Sequence, residues 1–284
     1  MTASRAQGPT GRLYLVALPI GNPDDMTPRA VAILGAVALV AAEDTRHFAT
    51  LARRHGIRAR AVSYHDHNED RRSRELLARL EAGDDVALVS DAGTPLVSDP
   101  GYRLVQAAIR AGIDVTSLPG ASAVTTALAA SGLPPHPFRF VGFLPRSRAA
   151  RRTALAALVA DDATLVAFEA PRRIVATLVD VREVLGDRLA CVARSLTKEG
   201  ERYQRGPVSR LIDELRAEDE VRGECTLLVA GADATTGSMA DAEDDATLLL
   251  ACGAPARAVQ DLLVQRHGLP RREAYALVLR LRDR

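Results

Sequence analysis

Residues 86–101 hold the densest set of side chains in the sequence that could do chemistry. The first four, VALV, are apolar without polar alternation, which predicts a buried strand. Hydroxyl, carboxylate and turn-forming residues follow at once: Ser90, Asp91, Gly93, Thr94, Pro95, Ser98, Asp99 and Pro100. Ligands of open α/β sheets bind at the carboxyl ends of strands, so we predict a ligand loop here. An ordinary strand-to-helix turn favours the same residue types, and composition leaves both interpretations open.

The other familiar site motifs are absent from the sequence. No G-x-G-x-x-G follows the first predicted strand, no G-x-x-x-x-G-K-[ST] surrounds the single lysine, Lys198, and no serine lies in a G-x-S-x-G elbow. His65 and His67 are close in sequence, but no cysteine or carboxylate set with ligand spacing accompanies them, so we expect no metal site. The three cysteines show no paired spacing and are expected to be reduced thiols.

Length and charge restrict the class of protein. With 284 residues, of which 47% are hydrophobic, the chain is long enough for two domains and an appendage. The formal net charge of +1 excludes a uniformly basic nucleic-acid coat, so any polyanion must bind at local patches. The N-terminus lacks an apolar signal core, and no apolar run approaches the roughly 18 residues of a membrane span. We therefore predict a soluble, cytoplasmic protein with no membrane partner.

Strands and helices alternate along most of the chain, which predicts an α/β fold with a mostly parallel sheet covered on both faces. Thr27 and Pro28 have the residue types of a helix N-cap and first helical position, and Pro100 is also expected to begin a helix. Strands are expected at residues 13–18, 37–42, 61–64, 86–89 and 113–118, and then at 139–142, 164–168, 188–193 and 224–230.

The sequence divides into four predicted segments. They are an N-terminal α/β domain, residues 1–118; a second α/β domain, residues 119–231; an acidic, flexible linker, residues 232–246; and a helical tail domain, residues 247–284. Two short helices are expected in the tail, at residues 254–267 and 270–281. Their arginines could bind nucleic acid or could lie on a solvated helical cap.

Seven segments, in order along residues 12–231, resemble a known family. They are LYLVALPIGNPDDMTPRA (13–30), AAEDTRH (41–47), HDHNE (65–69), VALVSDAGTPLVSDPGYRLV (86–105), LPGASAVTTALAASGLP (118–134), FVGFLP (140–145) and RGECTLLVAG (222–231). The chain is similar to the cytidine 2′-O-ribose methyltransferases of small-subunit ribosomal RNA, which belong to the tetrapyrrole methylase superfamily. The C-terminal helix pair also looks like the last domain of that family.

The resemblance implies an architecture, a cofactor and a substrate. It implies two α/β domains of tetrapyrrole methylase type with a cofactor cleft between them, plus a small C-terminal helical domain. It also implies S-adenosylmethionine as cofactor, a homodimer, and 16S rRNA of the small ribosomal subunit as substrate. Carried over to matching positions, the cofactor-binding residues would be Pro19, Ser90, Asp91, Gly93, Pro95, Ser122, Ala123, Glu169, Leu196 and Thr226.

A ribose hydroxyl is a poor nucleophile at neutral pH, so a nearby base or cation would help the transfer. The catalytic candidates are Asp44, Arg46, Glu169 and Lys198. A salt bridge that holds the loop is the alternative interpretation of Asp44 and Arg46. For contacts to the RNA backbone, the leading candidates are Arg146, Arg148, Arg151, Arg152, Arg271 and Arg272.

Two other functions compete with this interpretation. A tetrapyrrole C-methyltransferase of the same superfamily usually begins with a glycine-rich turn, where this chain has Pro19-Ile20-Gly21-Asn22. A non-catalytic RNA-binding protein would not need the well-formed cofactor loop.

Overall fold

The first domain is a parallel sheet with helices on both faces. The computed structural model describes residues 10–232 and 239–282. The strands of this domain are β1 (Leu13–Val16), β2 (Leu39–Ala42), β3 (Ala61–Ser63), β4 (Val86–Val89) and β5 (Val115–Leu118). Its helices are α1 (Pro28–Ala36), α2 (Thr45–Arg54), α3 (Glu69–Glu81) and α4 (Tyr102–Arg110). All neighbouring strands are parallel, in the order β3-β2-β4-β1-β5, so β4 is central.

The apolar sequence of β4 follows from its position between two helical layers. Ala87 and Val89 belong to the core beneath α1 and α2, whereas Val86 and Leu88 belong to the core beneath α3 and α4. A strand that is buried on both faces cannot alternate apolar and polar residues. The segment after β4 therefore leaves the middle of the carboxyl edge, as the sequence predicts.

Of the two predicted helix starts, the structure confirms the one at Thr27 but not the one at Pro100. Thr27 caps α1 as expected, since its hydroxyl accepts a hydrogen bond from the Ala30 N–H at 3.1 Å. The prediction that Pro100 begins a helix is wrong, because α4 begins at Tyr102 with Gly101 as its N-cap. Gly101 has a φ of 136°, and a Cβ there would lie 2.6 Å from Leu88 Cδ2. Only glycine fits this tight approach of the loop to β4.

The second domain is a mixed sheet. Its strands are β6 (Phe138–Phe143), β7 (Thr164–Glu169), β8 (Leu189–Arg194), β9 (Arg202–Pro207) and β10 (Cys225–Val229), in the order β6-β7-β10-β8-β9. Its helices are α5 (Ala123–Ser131), α6 (Arg148–Ala156), α7 (Ile174–Leu185) and α8 (Val208–Arg216). Only β6 and β7 are parallel, and the other neighbours are antiparallel.

Helix α5 packs on one face of this second sheet, where Val124 and Leu128 meet Val166 and Leu228. Helices α6, α7 and α8 cover the other face. The edge strand β9 was not predicted from the sequence. Its residues, RYQRGP, are polar because an edge strand needs no apolar pattern, and Pro207 is tolerated at its end.

The tail contains three helices, not two. They are α9 (Met239–Ala251), α10 (Ala256–His267) and α11 (Arg271–Arg282). They share a separate core: Ala242, Ala246, Val259, Leu263, Leu269, Ala274, Leu277 and Val278. This core gives the tail an apolar interior of its own.

The predicted linker at residues 232–246 is wrong for residues 239–246, which lie in α9, while residues 233–238 lie outside the described residues. This segment has the acidic composition of a linker, but two of its acidic residues instead form ion pairs with the other two helices. Asp245 accepts from His267 Nε2 at 2.9 Å, and Glu243 lies 3.2 Å from Arg280 Nη2. Composition alone could not distinguish an acidic linker from an acidic helix whose charges are neutralised by its neighbours.

Candidate active site

A cleft of about 900 Å³ lies between the two α/β domains. From the first domain, it is lined by the turn after β1, by α2 and by the loop after β4. From the second domain, it is lined by the start of α5, the ends of β6 and β7, and the loops that contain Lys198 and Glu224. Eight predicted site residues line it: Pro19, Asp91, Gly93, Ser122, Ala123, Glu169, Lys198 and Thr226.

The loop after β4 is fixed against the end of β1. Leu18 and Gly93 exchange backbone hydrogen bonds of 2.9 and 3.0 Å. Gly93 has a φ of 73°, and a Cβ there would lie 3.3 Å from Ile20 Cγ2. The Thr94 hydroxyl donates to the Ala121 carbonyl at 3.4 Å, which joins this loop to the start of the second domain. Backbone at Gly93 is thus held close to the cleft without a side chain in the way.

Three predicted cofactor residues support the cleft from behind. Ser90, Pro95 and Leu196 are buried and do not line it. The Ser90 hydroxyl donates to the Ala92 carbonyl at 3.2 Å, so it shapes the turn. Asp91 lines the cleft, and its Oδ1 accepts the Asp44 N–H at 2.9 Å. Asp91 therefore connects the loop after β4 to the segment after β2.

The loop at residues 195–198 has a strained backbone. Ser195 and Thr197 have φ values of 50° and 61°, in a region that costs non-glycine residues about 1–3 kcal/mol. The Thr197 hydroxyl accepts the Asn22 N–H at 2.9 Å, which ties this second-domain loop to the turn after β1. The strained loop thereby presents Lys198 to the cleft.

Lys198 and Glu224 form an ion pair on the cleft wall. Lys198 Nζ lies 2.7 and 2.6 Å from the two carboxylate oxygens of Glu224. This contact lowers the pKa of Glu224 below its ordinary value. Glu224 was not among the predicted residues, although it lies inside the RGECTLLVAG segment. Glu224 lies 26 positions after Lys198, so no local pattern in the sequence connects the two residues.

The Glu169 carboxylate is buried and fully engaged. It accepts hydrogen bonds from the Thr177 hydroxyl at 2.6 Å and from the Ala170 N–H at 2.9 Å, and it lies 3.2 Å from Arg173 Nη2. Such a carboxylate fixes the end of β7 and the turn after it. These contacts give Glu169 a structural role in the wall of the cleft.

Asp44 and Arg46 do not line the cleft; instead they pair with each other. Asp44 caps α2, and its carboxylate contacts the Arg46 guanidinium at 2.8 and 3.2 Å. Hydrogen bonds from Arg46 hold the pKa of Asp44 well below its ordinary value. The Arg46 side chain is 90% exposed. This geometry favours the salt-bridge interpretation of the two residues.

Half-buried carboxyl groups lie in and beside the ligand loop. Burial raises the pKa of Glu43, whose Oε2 accepts the Asp91 N–H at 3.3 Å. Burial also raises the pKa of Asp99 to about 6. The neighbouring charges of Glu43, Asp91 and Asp66 act in the same direction as burial. This edge of the sheet therefore holds a carboxyl group whose pKa is raised above that of an exposed aspartate.

Apolar side chains that line the cleft were also not predicted from the sequence. Phe143 and Phe168 line it, as do Ile20, Leu51 and Val97. The FVGFLP segment marked the region, but the sequence carried no sign of which phenylalanine faces the cleft. His47, Thr50 and Arg54 reach it from α2. Arg54 Nη2 is paired with Asp24 at 2.9 Å.

The four arginines predicted to bind RNA lie on α6 or just before it, and three of them are paired with carboxylates of α7. Arg148 and Arg151 pair with Asp180 on α7 at 2.9 and 2.5 Å, and Arg148 and Arg152 pair with Glu183. These partners lie about 30 positions away in sequence, beyond any local pattern. Arg146 is exposed, and so are Arg271 and Arg272 on α11, none of them in an ion pair with a described residue.

Within residues 10–232 and 239–282, no group of His, Cys, Asp and Glu side chains has an arrangement that could hold a metal ion. None of the helices in these ranges has the length and hydropathy needed to cross a bilayer.

Comparisons with known proteins identify relatives of this chain. The sequence model of the Tetrapyrrole (Corrin/Porphyrin) Methylases matches residues 12–212. A protein named Ribosomal RNA small subunit methyltransferase I from Micromonospora olivasterospora is 53% identical over 276 residues, covering 95% of this chain and 87% of the relative. A protein of the same name from Synechocystis is 45% identical and covers 95% of this chain and 98% of the relative.

A solved structure shares the fold. The uroporphyrin-III-C-methyltransferase from Thermus thermophilus superposes with a TM-score of 0.54, at 24% identity, over 78% of this chain and 94% of that one. Together with the sequence relatives, this likeness confirms the predicted fold class of two α/β domains and C-terminal helices.

Proposed function

Because this chain belongs to the tetrapyrrole methylase family, and within it to the ribosomal RNA small subunit methyltransferases I, we propose that it methylates a cytidine 2′-hydroxyl in 16S rRNA. S-adenosylmethionine is the methyl donor. The observation that carries this proposal is identity of 53% over nearly the whole chain, a length that includes every element lining the cleft. The target nucleotide lies in the small ribosomal subunit.

The walls of the cleft fit this cofactor. Its adenosine and amino-acid parts need close backbone, small hydroxyls and polar partners, and the cleft offers Gly93, Ser122 and Thr226 together with Asp91. The Pro119-Gly120 turn that leads into this wall packs tightly, since a Cβ on Gly120 would lie 2.8 Å from the Ala17 Cβ. We assign Pro19, Asp91, Gly93, Ser122, Ala123 and Thr226 to direct contact, and Ser90, Pro95 and Leu196 to support of the cofactor loop.

The protein residues mainly align the reactants. When bound, the sulfonium group supplies an electrophilic methyl, so the remaining task is to hold the ribose hydroxyl in line with it. Lys198 is a cation on the second-domain wall of the cleft, and Glu224 fixes its ammonium. Lys198 is our leading candidate for a residue that acts on the reacting ribose. Glu169, Asp44 and Arg46 have structural partners and instead position the walls.

RNA binding uses arginines that have no ion-pair partner among the described residues and that lie at separate places on the surface. Arg146 follows β6 near the cleft, while Arg271 and Arg272 begin α11 in the tail domain. These cations can contact phosphates although the net charge of the chain is only +1. The helical tail would then extend the RNA contact beyond the cleft.

A homodimer is the proposed assembly. On α4, Tyr102 and Ile109 are exposed large hydrophobic residues, seven positions apart and hence on one face of the helix. An exposed apolar face of this kind is a common feature of subunit interfaces. Light scattering on the purified protein gives the mass directly, and a monomer at all concentrations would remove the homodimer from the proposal.

Methyl transfer to ribosomal subunits tests the proposed function. Small subunits from a strain that lacks this enzyme are incubated with the protein and isotopically labelled S-adenosylmethionine, and the labelled nucleotide is mapped in 16S rRNA. Naked 16S rRNA is treated in parallel, which shows whether the substrate is the assembled subunit. We expect label on one cytidine ribose. Label in neither RNA would overturn the proposal, and a purified protein with porphyrinoid absorbance would indicate the tetrapyrrole alternative, which the structural likeness supports only at the level of fold.

A further inference from the structure

One extra residue in β6 changes the direction of Phe143. Phe140 pairs with Val166 of β7, and Gly142 pairs with Ala167, so Val141 is an unpaired insertion in the ladder. Side chains alternate between the faces of a sheet, so Phe140 and Phe143, three positions apart, would ordinarily lie on opposite faces. The bulge brings Phe143 to the position directly opposite Phe168, on the face that also carries Phe140.

The three rings form a connected aromatic cluster. The Phe140 and Phe168 centroids are 4.9 Å apart, and the Phe143 and Phe168 centroids are 5.5 Å apart, both with edge-to-face geometry. Phe140 and Phe168 are partly buried against the core beneath α5. Phe143 is 61% exposed and lines the cleft. Phe143 thus packs on Phe168, which packs in turn on Phe140, while most of the Phe143 surface faces solvent.

The backbone around Phe143 is built for this placement. Gly142 has a φ of 67°, a conformation that glycine adopts without strain. A Cβ at Gly142 would lie 3.5 Å from the Ser98 Oγ, so the first-domain loop approaches β6 here. Val97 of that loop is 36% exposed and lines the same cleft. Two apolar side chains from different domains therefore face one opening.

We propose that Phe143 stacks on the base of the nucleotide whose ribose is methylated, an inference that rests on the proposed function. A ribose inside a paired helix cannot enter a cleft, so its nucleotide must leave the stack. Unstacked RNA bases bind on aromatic side chains, which replace the lost stacking. The chain contains no tryptophan and only 4% aromatic residues, yet it places one exposed ring at this site.

The cofactor adenine is the other flat ring that could use Phe143. The residues assigned to the cofactor include Pro19, Gly93 and Thr226, which are buried in the wall of the cleft. Phe143 and Val97 are instead among the exposed residues of the lining, which places them toward solvent, where RNA arrives. The base of the RNA is therefore the ring that Phe143 meets.

Single-turnover methylation of small subunits tests this role with Phe143→Ala, Phe143→Leu and Phe143→Tyr. Stacking on one base corresponds to about a 5- to 150-fold effect in binding. We expect Phe143→Ala to weaken subunit binding by a factor in this range, Phe143→Tyr to restore it, and Phe143→Leu to restore little. Wild-type binding by Phe143→Ala, or equal recovery by Phe143→Leu, would overturn the inference. Loss of methylation by the wild-type protein itself would instead reject the proposed function.

A fluorescence experiment distinguishes contact of Phe143 with the RNA base from contact with the cofactor adenine. Phe143→Trp introduces the only tryptophan, and Phe138→Trp places a matched probe at the exposed start of the same strand. Titration with S-adenosylhomocysteine alone should leave the emission of both variants unchanged if Phe143 contacts RNA. Quenching of the Phe143→Trp variant alone would assign the ring to the cofactor adenine and overturn the inference. Folding of every variant is checked by circular dichroism.

Discussion

Lys198 donates hydrogen bonds to both carboxylate oxygens of Glu224, at 2.7 and 2.6 Å, on the wall of the interdomain cleft. The pair joins the strained loop after β8 to the residue that precedes β10. The stem of Lys198 is also held by the first domain, because Gly21 has no side chain where a Cβ would lie 2.5 Å from Lys198 Cγ. The lysine is thus fixed by both domains in the place where the reacting ribose is expected.

Single-turnover methylation measures the role of this ammonium. We expect Lys198→Ala to lower the rate about 100-fold, since a positioned charge beside a developing oxyanion contributes about that much. Lys198→Arg should also be slow, because the guanidinium is larger and cannot act as a compact point charge. Cofactor and RNA affinities should stay near wild type. Full activity in both lysine variants would leave the ion pair without a role in catalysis, and rescue by arginine would mean that charge alone suffices.

Gly21 and Gly35 give a matched pair of glycine substitutions. A Cβ on Gly21 would lie 2.5 Å from Lys198 Cγ and 2.8 Å from the Leu196 carbonyl oxygen, whereas nothing lies within 4 Å of a Cβ on Gly35. Gly21→Ala should lower the free energy of unfolding by about 1–3 kcal/mol and weaken cofactor binding. Gly35→Ala, at an exposed position of α1, should raise the free energy of unfolding by about 0.5–1 kcal/mol. Denaturant unfolding and calorimetry provide both readouts; equal behaviour of the two variants would contradict the close interdomain packing at Gly21.

The sequence was informative where the signal was local. A strand without polar alternation, followed by turn formers and carboxylates, was enough to predict the loop after β4, and Thr27-Pro28 was enough for the start of α1. These features depend on residues within a few positions of one another. The family resemblance supplied four of the residues that line the second-domain side of the cleft, namely Ser122, Ala123, Glu169 and Thr226.

Features that depend on contacts between residues far apart in sequence could not be predicted from local patterns. Arg148, Arg151 and Arg152 have the pattern of an RNA-binding face, but carboxylates on α7 neutralise them. The side on which Phe143 lies depends on a one-residue bulge that only strand pairing reveals. Likewise, α9 has the composition of a linker until its acidic residues meet the cations of α10 and α11.

Arg151 is predicted to matter for stability. Its guanidinium is buried and lies 2.5 Å from the equally buried Asp180. Burial alone would raise the pKa of Asp180, but hydrogen bonds from Arg148 and Arg151 outweigh it and lower that pKa. Arg148 still contacts Asp180 after Arg151→Ala, so this variant should cost about 1–3 kcal/mol in urea unfolding, the cost of leaving a buried acceptor without one of its donors. Arg210→Ala, which breaks an exposed pair with Glu214, should cost less than about 1 kcal/mol. A similar cost for both would contradict this assignment.

Arg271 and Arg272 are predicted to bind RNA phosphates. Each phosphate that an arginine neutralises releases counterions, so Arg271→Ala with Arg272→Ala should reduce the slope of log affinity against log salt by about 0.7–0.9 per arginine that binds a phosphate. Arg71 and Arg72 are the control, because these consecutive helix arginines already pair with Glu75 at 2.7 and 2.6 Å. Their replacement should leave the slope unchanged. If the tail variant keeps the wild-type slope and affinity, the tail arginines lie on a solvated cap and do not bind RNA.

The final prediction concerns the pH dependence of stability. Burial raises the pKa of Asp99 to about 6 in the folded protein, from about 3.9 for an exposed aspartate. The folded state therefore binds more protons than the unfolded state between these values. The stability associated with the neutral carboxyl is fully present below about pH 4 and is lost as the pH rises through 6. Asp99→Asn keeps a neutral side chain at every pH, so this loss should disappear.

We expect Asp99→Asn to match the wild type at pH 4 and to exceed its free energy of unfolding at pH 7.5 by on the order of 1–2 kcal/mol. Asp187 provides a control of opposite sign. Hydrogen bonds from the Ser209 hydroxyl and N–H, at 2.6 and 2.7 Å, lower its pKa, so its contribution is present at neutral pH and is lost in acid. Asp187→Asn should therefore be less stable than the wild type at pH 7.5, with a difference that shrinks toward acid. Urea unfolding across this range measures both variants, and a stability gain for Asp99→Asn that is the same at pH 4 and pH 7.5 would show that the Asp99 carboxylate is not the group that titrates.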